Sequence, residues 1–159
     1  MPPLIIGQAP ARGSTERDEH GILIPFQGRS GDRLRRLAGV DDLRDHFILW
    51  NIFNQPAIRS RAKGDHFNSQ LARSVAAGMM TEIHKMKPPV ILLMGRKVEK
   101  AFGFRSGEFL KVRLWKGEKF IVFPHPSSTS YWWNHWDNRQ RAEIMLKKLV
   151  HTHGPTQNR

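Results

Sequence analysis

Four short apolar runs constrain the fold of this 159-residue chain more than any other feature. None of them alternates between apolar and polar residues, and each ends in a turn or a polar cluster, which is typical of strands in a sheet covered on both faces. Helical patterns separate the runs. The order predicts an α/β fold, a three-layer αβα sandwich around a central, mainly parallel four-stranded sheet. The runs are LII at 4–6, FILWNI at 47–52, VILLM at 90–94 and FIVF at 120–123.

The predicted helices lie between and after these strands. One covers residues 66–86 and a second covers 95–103, while the clearest repeats its apolar residues at i, i+3, i+4, i+7 and i+8 from Ala142 onward. The segments EFLKVRLW and FIVFP, joined by KGEK, predict a hairpin at one edge of the sheet. We expect a single domain over residues 1–150 and a flexible tail over 151–159. In the helix over 66–86 the expected buried stripe is Phe67, Leu71, Val75, Met79, Ile83 and Met86.

The charge of the chain indicates its class of partner. Lys and Arg total 26 against 14 Asp and Glu, and the net charge of +12 favours polyanions, with nucleic acid ahead of an anionic membrane surface. No basic amphipathic helix stands out, so a membrane partner ranks last. There is no cysteine, which excludes disulfides, thiolate metal sites and thiol nucleophiles. The first residues, MPPLIIGQAP, do not resemble a signal peptide, and we expect a monomeric, cytoplasmic protein.

The ends of the predicted strands carry groups suited to a nucleobase. Ligands of such sheets bind beyond the carboxyl ends of the strands. There, Gly7, Gln8 and Ala9 form a turn with backbone N–H groups and one amide side chain, and Asn51 offers a donor and an acceptor to a base edge. Taken alone, the segment with the Gly7 turn is more typical of an ordinary β–α connection, and Asn51 is about as typical of a capping or turn residue.

The stretch PHPSSTSYWWNHW, which ends the last strand, is the most unusual. Prolines on both sides of His125 restrict the backbone and limit where the imidazole points. Aromatic side chains on a loop can stack on bases or wedge between them. We therefore expect Tyr131 and Trp132 to contact DNA, and at least one of Trp133 and Trp136 to pack the last helix onto the sheet.

Five segments together resemble the uracil-DNA glycosylase superfamily. GQAPA, PFQGRSGDRLRRLAG, Asn51 in FILWNIFN, ILLMGRKVEKAFG and HPS occur in the order of that superfamily's motifs, over roughly residues 4–130. The resemblance implies a monofunctional DNA glycosylase, which extrudes a damaged or modified base and hydrolyses its N-glycosidic bond to leave an abasic site. It implies no cofactor and no metal. Branches with similar motifs hold an iron–sulfur cluster through four cysteines, which this chain lacks.

The resemblance also implies roles for individual residues. His125 faces the leaving base, Gln8 orients the attacking water and Asn51 reads the polar edge of the base. Neither Gln8 nor Ala9 supplies the carboxylate that usually activates the water. The base pocket comprises Gly7, Ala9, Phe26 and Asn51. The expected DNA contacts come from a basic loop and from the His-Pro-Ser loop, at Arg59, Arg61, Lys63, Ser127, Ser128, Tyr131 and Trp132.

Two alternatives remain at this point. The missing carboxylate and the bulky aromatic loop also suit a glycosylase specific for hypermodified pyrimidines, such as hydroxymethylated or glycosylated cytosine in phage DNA, acting in antiviral defence. The glutamine in place of an acid also suits a catalytically silent protein that binds DNA or a base without cleaving it. The enzyme interpretations rank higher, because His125 and Asn51 are both present.

Overall fold

Pairing between neighbouring strands gives a central five-stranded sheet in the order β2-β1-β5-β7-β6. The computed structural model describes residues 1–56, 59–60, 64–65, 67–127 and 131–153, with only the backbone at 59–60 and 64–65. The strands are β1 (Leu4–Gly7), β2 (Ile48–Asn51), β3 (Arg59–Ser60), β4 (Gly64–Asp65), β5 (Ile91–Met94), β6 (Val112–Trp115) and β7 (Glu118–Phe123). The helices are α1 (Arg29–Ala38), α2 (Ser69–Met86), α3 (Arg96–Ala101) and α4 (Trp136–His153). Strands β3 and β4 form a separate antiparallel pair.

The four predicted strands are β2, β1, β5 and β7, and they are parallel to one another. The α/β fold class is thereby confirmed. The sheet has five strands instead of four because β6 pairs antiparallel with β7, as the predicted hairpin requires. Its turn is made by Lys116 and Gly117, which both have positive φ angles (49° and 82°), the requirement of a type I′ turn.

Successive residues of each buried strand point to opposite helical layers, which is why the sequence shows no polar alternation. Ile5, Leu92 and Phe123 belong to the core beneath α1 and α4. Their neighbours Leu93 and Val122 belong to the second core, beneath α2 and α3. Both faces of the sheet are therefore covered by helices, and the three-layer αβα arrangement is confirmed.

Two details of the helices differ from the sequence prediction. In α2 the buried residues are Ala72, Ala76 and Ile83, whereas Leu71, which was expected in the core, is 51% exposed. Small residues let α2 lie close to the sheet, and the apolar pattern alone does not distinguish this arrangement. Helix α4 continues to His153, into the segment that was expected to be a tail. Within the part of the chain that the structure describes, no helix combines the length and apolarity needed to cross a membrane.

Candidate active site

The carboxyl ends of the parallel strands open into one cleft of about 1500 Å³. Gly7 and Asn51 are paired in register where β1 and β2 end, and His125 follows directly on β7. The cleft brings together these strand-end residues, the adjoining Gln8 and Ala9, and Phe26, which the family resemblance assigned to the base pocket.

Gly7 lies at the closest approach between the backbone and two of the site's side chains. A Cβ atom at this position would lie 2.7 Å from Asn51 Oδ1 and 2.8 Å from Phe26 Cζ. Both distances are below van der Waals contact. Only glycine lets the amide and the aromatic ring pack against the end of β1.

Phe26 lies in a loop whose two sides are joined by hydrogen bonds. Phe26 has φ of 62°, an unfavourable region for a residue with a side chain. The next residue, Gln27, fixes this conformation through its amide. Its Oε1 accepts from the N–H groups of Thr15 and Glu16 (3.3 and 3.1 Å), and its Nε2 donates to the carbonyls of Glu16 and Ile24 (2.8 and 2.9 Å). All four hydrogen-bonding positions of the Gln27 amide are therefore used.

The side-chain amide of Asn51 has an unpaired donor. Its side chain is only 7% exposed, yet its Nδ2 atom is buried without a hydrogen-bond partner among the described residues. An unpaired buried amide N–H is unfavourable by about 1–3 kcal/mol, and native structures retain few such groups. Because Asn51 lines the cleft, an acceptor on a bound molecule would satisfy this donor.

His125 has a defined protonation state. The backbone N–H of Ser127 donates to its Nδ1 over 3.2 Å. A backbone N–H can only donate, so Nδ1 accepts and the neutral ring carries its proton on Nε2. Burial lowers the pKa of the His125 imidazole, and the positive charge of Lys97 lowers it further. The residue is therefore a neutral imidazole at neutral pH, with an N–H available as a donor.

The loop that carries His125 is anchored from two directions. The indole Nε1 of Trp133 donates to the carbonyl of His125 over 2.8 Å. The guanidinium of Arg33, in α1, donates to the carbonyl of Ser127 over 3.2 Å. Trp133 is 4% exposed and packs at 6.4 Å, centre to centre, from Phe123. The expectation that at least one of Trp133 and Trp136 packs into the core is met by Trp133. Trp136, in contrast, is 64% exposed.

The two aromatic residues expected on DNA have different environments. Tyr131 is 84% exposed. Trp132, in contrast, is half-buried, with its ring edge-to-face against Phe109 (6.2 Å) and Trp133 (4.8 Å). The contact of Trp132 with DNA stays a prediction, and the structure adds that part of its indole already packs the loop against the core.

The expected phosphate contacts are only partly within the described residues. Ser127 is described: its backbone N–H donates to His125 and its carbonyl accepts from Arg33. Arg59 lies in β3, where only the backbone is described. Arg61, Lys63 and Ser128 lie outside the described residues.

Three cationic residues of the cleft were missed at the sequence level. Arg12, Arg29 and Lys97 line it, and no Asp or Glu is found among its described lining residues. The position of Lys97 just after β5 could have indicated it, because ligands of parallel sheets bind beyond the carboxyl ends of the strands. Phe53 and Phe67, whose rings meet edge-to-face at 5.5 Å, were also missed as lining residues. Among the described residues, no cluster of His, Asp or Glu could hold a metal ion.

Comparison with known protein families identifies the class. The family model described as the uracil DNA glycosylase superfamily matches residues 2–150. The chain belongs to the uracil DNA glycosylase superfamily, which confirms the resemblance drawn from the motifs. Membership supports a DNA glycosylase type of function in general, with DNA as the partner. No curated protein matches the chain.

Proposed function

We propose that this protein is a monofunctional DNA glycosylase that extrudes a base from DNA and hydrolyses its N-glycosidic bond. One observation carries the proposal. Asn51, whose amide N–H is unpaired, and His125, whose neutral imidazole keeps one N–H, line the same cleft, so a base bound there has two donors nearby for its carbonyl oxygens. An enzyme that acts on a base within a duplex must first extrude it, which is unfavourable by a few kcal/mol.

Recognition of the extruded base falls to Phe26 and Asn51. The ring of Phe26 would stack on the base, while the Asn51 amide donates to a carbonyl on its edge. Tyr131 would fill the gap that the base leaves in the duplex, since it is the exposed member of the aromatic pair. Arg12, Arg29 and Lys97 supply positive charge along the cleft for the flanking phosphates.

His125 would stabilise the departing base. When the bond between C1′ and the base nitrogen breaks, its electron pair stays on the base and the sugar acquires cationic character. The Nε2–H of His125 donates a hydrogen bond to the oxygen on which the negative charge accumulates. A fixed donor in a partly buried site is an effective form of such stabilisation. A neutral ring serves here without transferring its proton.

Water completes the reaction at C1′. Gln8 and the backbone of the turn after β1 would orient a water molecule, whose oxygen bonds to C1′ while its proton passes to solvent or to the base anion. The products are a free base and an abasic site. Since no carboxylate lines the described part of the cleft, water activation depends on the cationic character of the sugar.

The test is a panel of oligonucleotides that contain uracil, hypoxanthine or other altered bases, assayed for abasic sites. The variants His125→Ala and Asn51→Ala should each slow base release by about 100-fold or more while DNA binding survives. His151→Ala, a change at an exposed position near the end of α4, is the matched control and should retain full activity. Full activity in both cleft variants would refute the assigned roles.

A second candidate is a glycosylase for hypermodified pyrimidines, such as hydroxymethylated or glycosylated cytosine in phage DNA, with a role in antiviral defence. The size of the cleft favours it. A volume of about 1500 Å³ exceeds the roughly 300–1,000 Å³ of typical small-ligand pockets, so the cleft has room for a base with a large substituent. Abasic sites formed in modified phage DNA, but not in uracil-containing DNA, would select this candidate.

A third candidate is a catalytically silent protein that binds DNA or a base. The supporting observation is that Gln8 stands where an acid is usual and that no acid lines the described cleft. Salt-sensitive DNA binding without abasic sites on any substrate of the panel would select it.

A further inference from the structure

We propose that Trp133 and Arg33 are positioning residues for His125, acting through the backbone of the His-Pro-Ser loop. The inference rests on the proposed function, because it assigns to both side chains the task of presenting the imidazole as a donor to the leaving base. Neither Trp133 nor Arg33 needs to contact the base or the attacking water for this role. Both belong to elements that pack around the loop, α1 and the short 3-10 helix Tyr131–Asn134.

The loop depends on donors from elsewhere in the chain. The residues on both sides of His125 are prolines, which have no backbone N–H to donate. A buried carbonyl group needs a hydrogen-bond donor. Since the two prolines supply none within the loop, the donors come from other segments. Trp133 supplies one to the carbonyl of His125 at 2.8 Å, and Arg33 supplies another to the carbonyl of Ser127 at 3.2 Å. The backbone is thereby fixed before and after Pro126.

The two anchors also support each other. The guanidinium carbon of Arg33 lies 4.9 Å from the centre of the Trp133 ring, a cation–π contact. The Trp133 ring itself is part of the core beneath α1 and α4. The position of the loop is consequently tied to the packed interior of the molecule, although the loop lies at the edge of the cleft.

The imidazole tautomer depends on this anchoring. The N–H of Ser127 reaches Nδ1 of His125 over 3.2 Å, near the upper end of hydrogen-bond lengths. A small displacement of the loop would break that bond. The ring could then carry its proton on Nδ1, and Nε2 would become an acceptor, which would repel the negative charge that develops on the base.

The experiment removes the indole N–H and follows the ring of His125 directly. Trp133→Phe keeps an aromatic ring and loses the donor. Replacement of Trp133 by benzothienylalanine, in which sulfur takes the place of the N–H group, preserves the shape as well and covers the case in which the phenylalanine variant does not fold. The control is Trp115→Phe, at the opposite end of the β6–β7 hairpin from the loop. Heteronuclear NMR of the imidazole nitrogens reports the tautomer, and single-turnover assays at saturating DNA report the rate.

We expect both Trp133 variants to populate the Nδ1–H tautomer and to release base about 10-fold more slowly, because small misplacements of a reacting group have effects of this size or larger. Their affinity for DNA should equal that of the unaltered protein, and Trp115→Phe should change neither readout. A tautomer that stays on Nε2 in both variants would overturn the positioning role, whatever their activity. If the unaltered protein releases no base from any DNA, the proposed function fails, while the tautomer measurement still decides whether Trp133 positions His125.

Discussion

Gly7, at the end of β1, leaves space for two side chains of the cleft. Gly7 has no side chain, and the space that a methyl group would take is occupied by the Asn51 amide and the Phe26 ring. The three residues come from separate segments of the sequence, so their mutual dependence appears only when β1 and β2 lie side by side. A change as small as one carbon atom should therefore act on base recognition.

The variant Gly7→Ala tests this dependence. We expect slower base release by about 10-fold or more and a loss of stability of roughly 1–3 kcal/mol, because the added Cβ must displace the amide and the ring. Gly78→Ala is the matched control: it lies within α2, a Cβ there meets no atom within 4 Å, and alanine should stabilise the helix by roughly 0.5–1 kcal/mol. Chemical denaturation and the abasic-site assay measure the two effects, and normal activity in Gly7→Ala would contradict the close-approach argument.

The pH dependence of base release should identify the charge state of His125. Burial, and then Lys97, lower the pKa of its imidazole below the ordinary value of about 6.5. In the proposed mechanism the neutral ring is the active form. The rate should therefore stay constant as the pH falls from 8 through about 6.5 and should decline only below it, as the ring takes up a proton.

The variant Lys97→Met should move this decline to higher pH, because removing the nearby positive charge lets the pKa of His125 rise toward its ordinary value. Lys100→Met, on the same helix but outside the cleft, should leave the profile unchanged. Single-turnover rates at saturating DNA separate this effect from weaker binding. An unchanged profile in Lys97→Met would show that its charge does not act on the imidazole.

At the scale of the elements, the ends of α2 control where one wall of the cleft lies. Asn68 caps its beginning by accepting from the N–H of Leu71 over 3.0 Å, and both residues line the cleft. Lys87 closes the other end with a φ of 51°, a conformation that residues other than glycine rarely adopt. The helix is thus well capped at the cleft and strained at its far end.

Identical substitutions near the far end of α2 should have opposite effects. Lys87→Gly relieves the left-handed conformation and should stabilise the protein by about 1 kcal/mol. Lys85→Gly, two residues earlier within the helix, should destabilise it by about 1 kcal/mol. Thermal or chemical denaturation distinguishes the two, and a destabilising Lys87→Gly would contradict the assigned conformation of the cap.

The features that could be predicted from the sequence are those that depend on one segment alone. Strands buried on both faces were evident from their apolar runs, and the ends of those strands correctly indicated Gly7, Asn51 and His125 as neighbours. The exposure of Leu71 and the partial burial of Trp132 could not be predicted, since both depend on which neighbouring helix or ring covers a side chain. Periodicity within a single segment does not contain that information.

At the scale of the whole molecule, the excess of positive charge should dominate binding to DNA. The net charge is +12, and the charged residues that line the described cleft are all cationic. Binding of such a protein releases counterions from the nucleic acid, so its affinity should fall steeply as salt concentration rises. The charge was evident from composition, but its placement along the cleft required the fold.

Arg29→Gln should reduce the dependence of log K on log salt concentration by about 0.9, the value for one phosphate contact on duplex DNA. Arg44→Gln is the matched control. Arg44 lies in the 3-10 helix before the amino end of β2, whereas the cleft is at the carboxyl ends of the strands, and it is paired with Asp42 at 2.7 Å. Fluorescence anisotropy over a range of salt concentrations measures both slopes. Equal slopes for Arg29→Gln and the unaltered protein would exclude Arg29 from the phosphate contacts.

The self-contained loop around Gln27 has a practical consequence for engineering. The Gln27 amide is hydrogen-bonded to Thr15, Glu16 and Ile24. These bonds lie between Phe26 and the tip of the loop at 18–21, so a change at the tip should not move Phe26. A tag, a fluorophore or a short peptide inserted at this tip should leave the position of the Phe26 ring unchanged. The loop that carries Phe26 and Gln27, two lining residues of the cleft, thereby offers an attachment point from which the arrival of DNA could be observed optically.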